Sequence, residues 1–479
     1  MVFNSVTFFV FLFITFLIYL KVAKHSVKSG NFILLSASYI FYGWWDWRFL
    51  FLIIISSLTD FIVGYELFKT ESSRKRKLLL AASLVINLGM LFVFKYFNFF
   101  VDTFLATFGN GENQSSLIRI ILPVGISFYT FQTLSYTIDI YRRQLTPTKS
   151  VITFLTFVSF FPQLVAGPIE RAGRLIPQFE KKFSFNYQQA SSGLKLILWG
   201  LFKKVVIADQ AAVLVNAVYQ TPESYNGISL IIATLLFGFQ IYCDFSGYSD
   251  IAIGTARLFG IELMTNFRTP YYASSIKDFW HRWHISLSTW FRDYVYIPLG
   301  GNRTNNFRKN LNILITFTLS GLWHGANITF VLWGFLHGFL YFIESLISPQ
   351  KFINKKAITF AGIISTYLAV NFLWIFFRAE SWTQAKNIIE IIFNQQKGGS
   401  ESITSLLTNS GILTEPGRML VFIFPFFILA EILLNKKELP LILETTPRLV
   451  RWSLYYIVLF AILFFGVLNS APQFIYFQF

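Results

Sequence analysis

The sequence predicts an all-α polytopic membrane protein. It is 54% hydrophobic and 19% aromatic but only 13% charged, about half the charge of an ordinary soluble domain. That leaves too little polar material to coat a water-facing surface. Apolar stretches of near-membrane length recur along the chain, with the positive charges gathered in short clusters between them.

The apolar blocks run from Phe3 to Leu20, Leu78 to Phe100, Ile118 to Ile138, Ile228 to Cys243, Leu311 to Leu319, Ile328 to Ile347, Ala357 to Phe377, Leu420 to Leu434 and Trp452 to Leu468. Several are short, which predicts tilted or re-entrant segments beside full spans. "GWWDWR" (43–48) reads as an aromatic belt at the turn between two further short spans. The first block follows an uncharged "MVFNS" without a small-residue cleavage pattern, so it is expected to be a retained helix. No repeat, low-complexity tract or long linker divides the chain, which predicts one membrane domain over 1–479. The lone cysteine, Cys243, excludes a disulfide framework and a cysteine metal site.

The net charge of +16 would suit nucleic acid, but its distribution is that of cytoplasmic loops, so no nucleic-acid partner is expected. Lys21, Lys24, Lys28, Arg74 to Lys77, Arg142 with Arg143, Lys181 with Lys182, Lys203 with Lys204, Lys355 with Lys356, and Lys436 through Arg451 are assigned to the cytoplasm. Both termini are then expected outside. "GNGENQSS" (109–116) and the polar stretch from Asn394 to Arg418 fall outside in the same count.

Histidines carry the chemistry. "LSGLWHGANITFVLWG" (319–334) places His324 between glycines and tryptophans in a stretch apolar enough for a bilayer, where an ionisable group reads as functional. On a continuous helix Gly321, Gly325 and Ile328 share its side. His337, 13 residues on, lies near the opposite face at about 100° per residue if the helix is continuous; it reads as a packing histidine bonded to a carbonyl, with direct involvement as the alternative. Two readings of His324 stand side by side at this point: tight helix packing around a satisfied imidazole, and a general base acting on a hydroxyl. His25 sits in a basic loop and reads as solvated.

"IKDFWHRWHISLSTWFRDYVYIPLGGNR" (276–303) mixes aromatics and charges, as suits interfacial helices or a polar cavity wall. In it Asp278, His281 and His284 recur at helical spacing. That set is a poor metal site, because three steps of three drift around a helix and no other histidine or cysteine lies near in sequence. No metal is expected.

The segments "DFWHRWHISLSTWFRDYVYIPLGGNR" and "SGLWHGANITFVLWGFLHG" resemble the membrane-bound O-acyltransferase (MBOAT) family, in its bacterial alginate O-acetylation type. "PQLVAGPIER" (162–171), "YCDFSGYSDIAIGTARLFG" (242–260) and "FIYFQF" (474–479) extend the resemblance over essentially the whole chain. It implies an MBOAT fold of roughly eleven or more transmembrane helices, with re-entrant and interfacial helices around a tunnel. It also makes His324 the catalytic histidine and His284 the second signature position.

Trp280, Trp283, Trp323, Asn327, Asp244 and Ser246 flank these motifs and are the candidates for lining the tunnel. The implied reaction passes an acetyl group from cytoplasmic acetyl-CoA, a substrate and not a bound cofactor, across a bacterial inner membrane to an extracytoplasmic polysaccharide. Alternatives are D-alanyl or other acyl transfer to a cell-wall polymer, a transporter or export component, and an inert scaffold. The implied partners are membrane lipids, exopolysaccharide assembly proteins and an extracytoplasmic SGNH-hydrolase-like acetyltransferase. Tyr476, the one hydroxyl in "FIYFQF", reads either as part of an interfacial anchor or as an acyl relay to that partner.

Overall fold

The computed structural model describes residues 1–108, 119–346, 355–394, 397–402, 416–435, 439–467 and 474–475. The 109–116 stretch, most of 394–418 and Tyr476 therefore lie outside the described residues. Among those described, the secondary structure is helical apart from one isolated bridge. Six segments are long and apolar enough to cross a membrane: Val27–Lys69, Ser73–Leu105, Gly227–Leu258, Ile328–Leu346, Thr359–Arg378 and Arg448–Phe465. Val6–Val22 and Ile423–Leu434 are shorter apolar helices. The chain is a multi-pass membrane protein.

The contacts divide it into two compact units, Met1–Leu194 with Ala252–Met264, and Lys195–Ile251 with Thr265–Phe479. In the first, α1 (Val6–Val22), α2 (Val27–Asp46), α3 (Leu50–Lys69) and α4 (Ser73–Leu91) follow in order. The aromatic turn falls where it is expected: a single 3-10 turn, Trp47–Phe49, separates α2 from α3, and Trp44 and Trp47 are both 64% exposed. Asp46 caps that turn by accepting from the Arg48 amide at 3.0 Å.

The expected span from Ile118 is corrected. Helix α5 begins only at Ile126, after Gly125 at φ 77, where a Cβ would lie 2.7 Å from the Leu164 carbonyl oxygen. Nor does α5 (Ile126–Tyr141) face lipid, since most of its side chains are buried. Its polar residues are matched inside the unit, as an apolar surrounding demands. Thr137 donates to Asp60 Oδ1 at 2.9 Å, Asn87 donates to Asp60 Oδ2 at 2.8 Å, and Gln132 donates to the Phe157 carbonyl at 3.2 Å. Arg76, read as part of a cytoplasmic cluster, is 8% exposed and donates to the carbonyls of Thr70 and Tyr141, so a cation serves the C-terminal ends of α3 and α5.

The second unit holds α6 (Asp209–Gln220), most of α7 (Gly227–Leu258), α8 (Ile276–Arg282), α9 (Ile285–Phe291), α10 (Asn306–His324), α11 (Ile328–Leu346) and α12 (Lys355–Arg378), followed by Pro416–Leu434 and Arg448–Phe465. Its core is rich in aromatics, including Trp283, Trp333, Trp374, Phe237 and Phe279. The cluster Lys203 with Lys204 is also corrected. Both are buried, in the π-helical turn Phe202–Ala208, because each ammonium has its own carboxylate: Lys203 Nζ lies 2.9 Å from Asp250, and Lys204 Nζ lies 2.6 Å from Asp244 and 2.8 Å from Asp209.

Helices α10 and α11 form a hairpin whose backbones nearly touch. A Cβ on Gly321 would lie 2.2 Å from the Phe330 carbonyl oxygen, and one on Gly334 would lie 2.3 Å from that of Phe317. Small residues permit such a crossing, and dispersion contacts between backbones hold it where lipid offers no hydrophobic drive. Gly334→Ala is therefore expected to lower stability by about 1–3 kcal/mol through overpacking. Gly89→Ala, a helical position with nothing within 4 Å, is expected to be neutral or to stabilise by up to about 1 kcal/mol. Thermal unfolding in detergent compares the two, and equal losses would contradict the crossing as the cause.

Candidate active site

The site lies within the second unit, where two helix breaks bring two histidines together. The expectation that His281 and His284 share a helix is overturned: α8 ends at Arg282, and His284 occupies a left-handed conformation (φ 43, ψ 53) before α9 begins. A non-glycine residue there is strained and needs support from its surroundings. Asn266 supplies it. Its carbonyl oxygen accepts from Ser286 Oγ at 2.7 Å and from the Ser286 amide at 3.3 Å, and lies 3.3 Å from His284 Nδ1. Its backbone oxygen accepts from the Ile285 amide at 2.9 Å, and its amide nitrogen donates to Ser249 at 3.3 Å.

These bonds set the tautomer. The Asn266 oxygen only accepts, so His284 carries its proton on Nδ1. His284 is fully buried, and burial lowers its pKa to about 3, so the ring is neutral at physiological pH. His281 is exposed and Asp278 is ion-paired to Arg282 at 2.9 Å, so the three residues of the spacing pattern do not converge.

His324 is the last residue of α10, followed by Gly325 in extended conformation. The helix does not continue through Ile328, so the face expected to join His324, Gly325 and Ile328 does not exist. The ring of Phe330 takes the place a Cβ on Gly325 would need, 2.2 Å away. Only a glycine lets the chain turn back there. The imidazole is 3% exposed and walled by Trp323, Trp333 and Phe377 at ring distances of 4.9, 5.2 and 5.3 Å. Its ring centre lies 6.5 Å from that of His284.

The other sequence candidates fall in different places. Trp323 touches both imidazoles, at 4.9 Å from His324 and 6.2 Å from His284. Trp283 packs on Phe267 and Trp374 at 5.1 and 5.0 Å. Trp280 lines a cavity of about 240 Å³. Asn327 caps α11, accepting from the Thr329 amide at 3.1 Å and donating to the Glu380 carbonyl at 2.8 Å. Ser246 accepts from Lys203 at 2.9 Å.

Asp244 has two duties: it pairs with Lys204 at 2.6 Å, and its other oxygen accepts the Ile475 amide at 2.7 Å. Between Asp244 and Ser246, Phe245 stands edge-on to His284 at 4.7 Å and packs against Phe474 at 5.8 Å. Asn266 and Lys204 are neighbours of these candidates that the motifs did not reveal. His337 is corrected as well: Trp333 lies between it and His324, 4.8 Å from one ring and 5.2 Å from the other, so the two share a wall and do not face apart.

The fold and the buried histidine pair thus describe a multi-pass membrane protein with two titratable side chains enclosed together. A family model described as MBOAT, membrane-bound O-acyltransferase family, matches residues 141–383. The chain is 40% identical over 403 residues to the probable alginate O-acetylase AlgI of Pseudomonas putida, covering 82% of this chain and 80% of that one. It is 35% identical over 385 residues to the peptidoglycan O-acetyltransferase of Helicobacter pylori, covering 74% and 72%. It is 28% identical over 271 residues to the teichoic acid D-alanyltransferase of Bacillus subtilis, covering 53% and 68%. The chain belongs to the membrane-bound O-acyltransferase family, and it is an acyltransferase.

Removing the Asn266 side chain should unseat His284. Asn266→Ala leaves buried donors unmatched, each worth about 1–3 kcal/mol, so both acyl transfer and unfolding temperature should fall. Asn266→Asp keeps an accepting oxygen in place and should lose less activity. A full-rate, fully stable alanine variant would contradict the role of Asn266.

Proposed function

We propose that this enzyme takes an acetyl group from cytoplasmic acetyl-CoA and passes it across a bacterial inner membrane for O-acetylation of an extracytoplasmic polysaccharide, an alginate-like or other envelope glycan. The observation that carries the reading is the neighbouring pair of buried imidazoles, His324 at a helix C-terminus and His284 hydrogen-bonded to Asn266. The alginate and peptidoglycan acetylating relatives support the acetyl group and the glycan.

In this mechanism His324 removes the proton from an acceptor hydroxyl. The oxygen attacks the thioester carbon, the C–S bond breaks, and the proton returns to the departing thiolate. With its Nδ1 proton engaged by Asn266, His284 serves as a second acceptor that aligns the hydroxyl. It does not donate to the oxyanion. Trp323, against both rings, fixes their separation. A tunnel admits donor from one face and acceptor from the other without moving a sugar chain. The acceptor side hands the group to an extracytoplasmic SGNH-hydrolase-like partner, working with the exopolysaccharide assembly proteins.

Tyr476 is the proposed relay. Its phenol oxygen takes the acetyl group and passes it to the partner, since a phenolate with a pKa of about 10 leaves more readily than a sugar alkoxide. Ile475, next to it in sequence, is tied to Asp244, and Phe474 packs on Phe245 and on Tyr248 at 4.7 Å. Because Phe245 abuts His284, these contacts support a tail directed to the histidine pair.

Purified protein with acetyl-CoA and acceptor tests the reaction through thiol release. His324→Ala and His324→Gln should each lose at least about a hundredfold, the usual scale of general-base catalysis, with membrane insertion unchanged; normal turnover by either sinks the assignment. Tyr476→Phe, which keeps the ring and removes the nucleophile, should stop polymer acetylation in cells. Normal acetylation by that variant would leave the tail as an anchor only.

A further inference from the structure

His337 is fully buried on α11, and among the described residues neither of its ring nitrogens has a hydrogen-bond partner. Its neighbours are aromatic: Phe279 stacks on it at 6.2 Å, and Trp280 and Trp333 stand edge-on at 5.1 and 4.8 Å. The indole nitrogens of Trp280, Trp333 and Trp374 are equally buried and unpartnered among the described residues. Each such group costs about 1–3 kcal/mol if nothing meets it. Four side chains together therefore point to an incoming group with matching polarity.

The position says where that group comes from. Trp280 forms part of the wall of the 240 Å³ cavity, whose lining also includes the cations Lys277 and Arg292 with Tyr296 and Tyr341. Behind that wall Trp280 packs on Trp333, 5.8 Å away, and Trp333 packs on His324 at 5.2 Å. Trp333 thus joins the cation-bearing cavity to the proposed base, and His337 packs against both Trp280 and Trp333.

We propose that His337 is a binding residue for the donor's pantetheine arm, meeting the secondary amide next to the thioester. This rests on the acyl-CoA reading above. A neutral imidazole has one donor and one acceptor, and a secondary amide presents the complementary pair. The indole N–H groups serve the remaining carbonyl oxygens. Lys277 and Arg292 complement the phosphates at the far end of a thin donor.

The test compares two small thioesters on full-length protein in lipid nanodiscs: S-acetyl-N-acetylcysteamine, which keeps that amide, and S-butyl thioacetate, which lacks it. Each is run as a substrate and as a competitor of acetyl-CoA, so the preference is read in either form. The wild-type protein should favour the amide donor by about tenfold, the worth of one or two net hydrogen bonds. His337→Phe should bring the ratio close to one, and His337→Gln, which can again donate and accept, should restore part of it. The ratio is taken within each variant, so a reduced folded fraction does not alter it. An absent preference in the wild type, or a His337→Phe variant that keeps it, overturns the assignment. Wild-type protein that releases no thiol from acetyl-CoA overturns the donor reading itself.

Discussion

The side-chain oxygen of Asn266 is the contact on which the site depends. One acceptor holds the Ser286 hydroxyl, the Ser286 amide and the His284 ring, and so keeps α8 and α9 from fusing into a helix that would carry His284 away. The strain of the left-handed residue is offset by bonds that only this buried oxygen provides. The same side chain that bends the backbone also decides which nitrogen of His284 bears the proton. Conformation and chemistry are set together.

A related economy governs the polar groups elsewhere. In the first unit Asp60 is surrounded by Ser83, Asn87 and Thr137, three donors from two neighbouring helices. In the second unit Lys204 lies between Asp209 and Asp244. Neither arrangement gains much from Coulomb attraction once desolvation is counted. What each provides is register, because a helix shifted by one turn would leave a charge unmatched in an apolar surrounding. The tail shares in this: the Ile475 amide meets the carboxylate oxygen of Asp244 that Lys204 does not take.

Composition was enough to read the membrane and the helical class, since apolar blocks need no partner to be recognised. The turn at "GWWDWR" was equally legible, as its tryptophans act locally. Long-range pairing was not. Lys203 and Lys204 read as a loop cluster because Asp250 and Asp244, which pair with them alongside the nearby Asp209, are some forty residues distant in sequence. Both helix breaks were missed for a similar reason. The spacing of His281 and His284 fits a continuous helix, and only the contacts of Asn266, in an unremarked "TNFRTP", interrupt it. At Gly325 the cue was present as a glycine, but the ring of Phe330 that requires it appears only when the hairpin closes. Resemblance singled out His324 and His284; it did not reveal that their rings lie 6.5 Å apart.

The walls of Trp323, Trp333 and Phe377 around His324 have a consequence for fidelity. Any imidazole able to activate a hydroxyl can also activate water, the most abundant nucleophile in the cell, and an acyl group lost to water is wasted. Three aromatic rings leave the proposed base little solvent to work on. On that proposal the enclosure is a kinetic filter, with the reaction waiting for an acceptor large enough to bring its own hydroxyl inside.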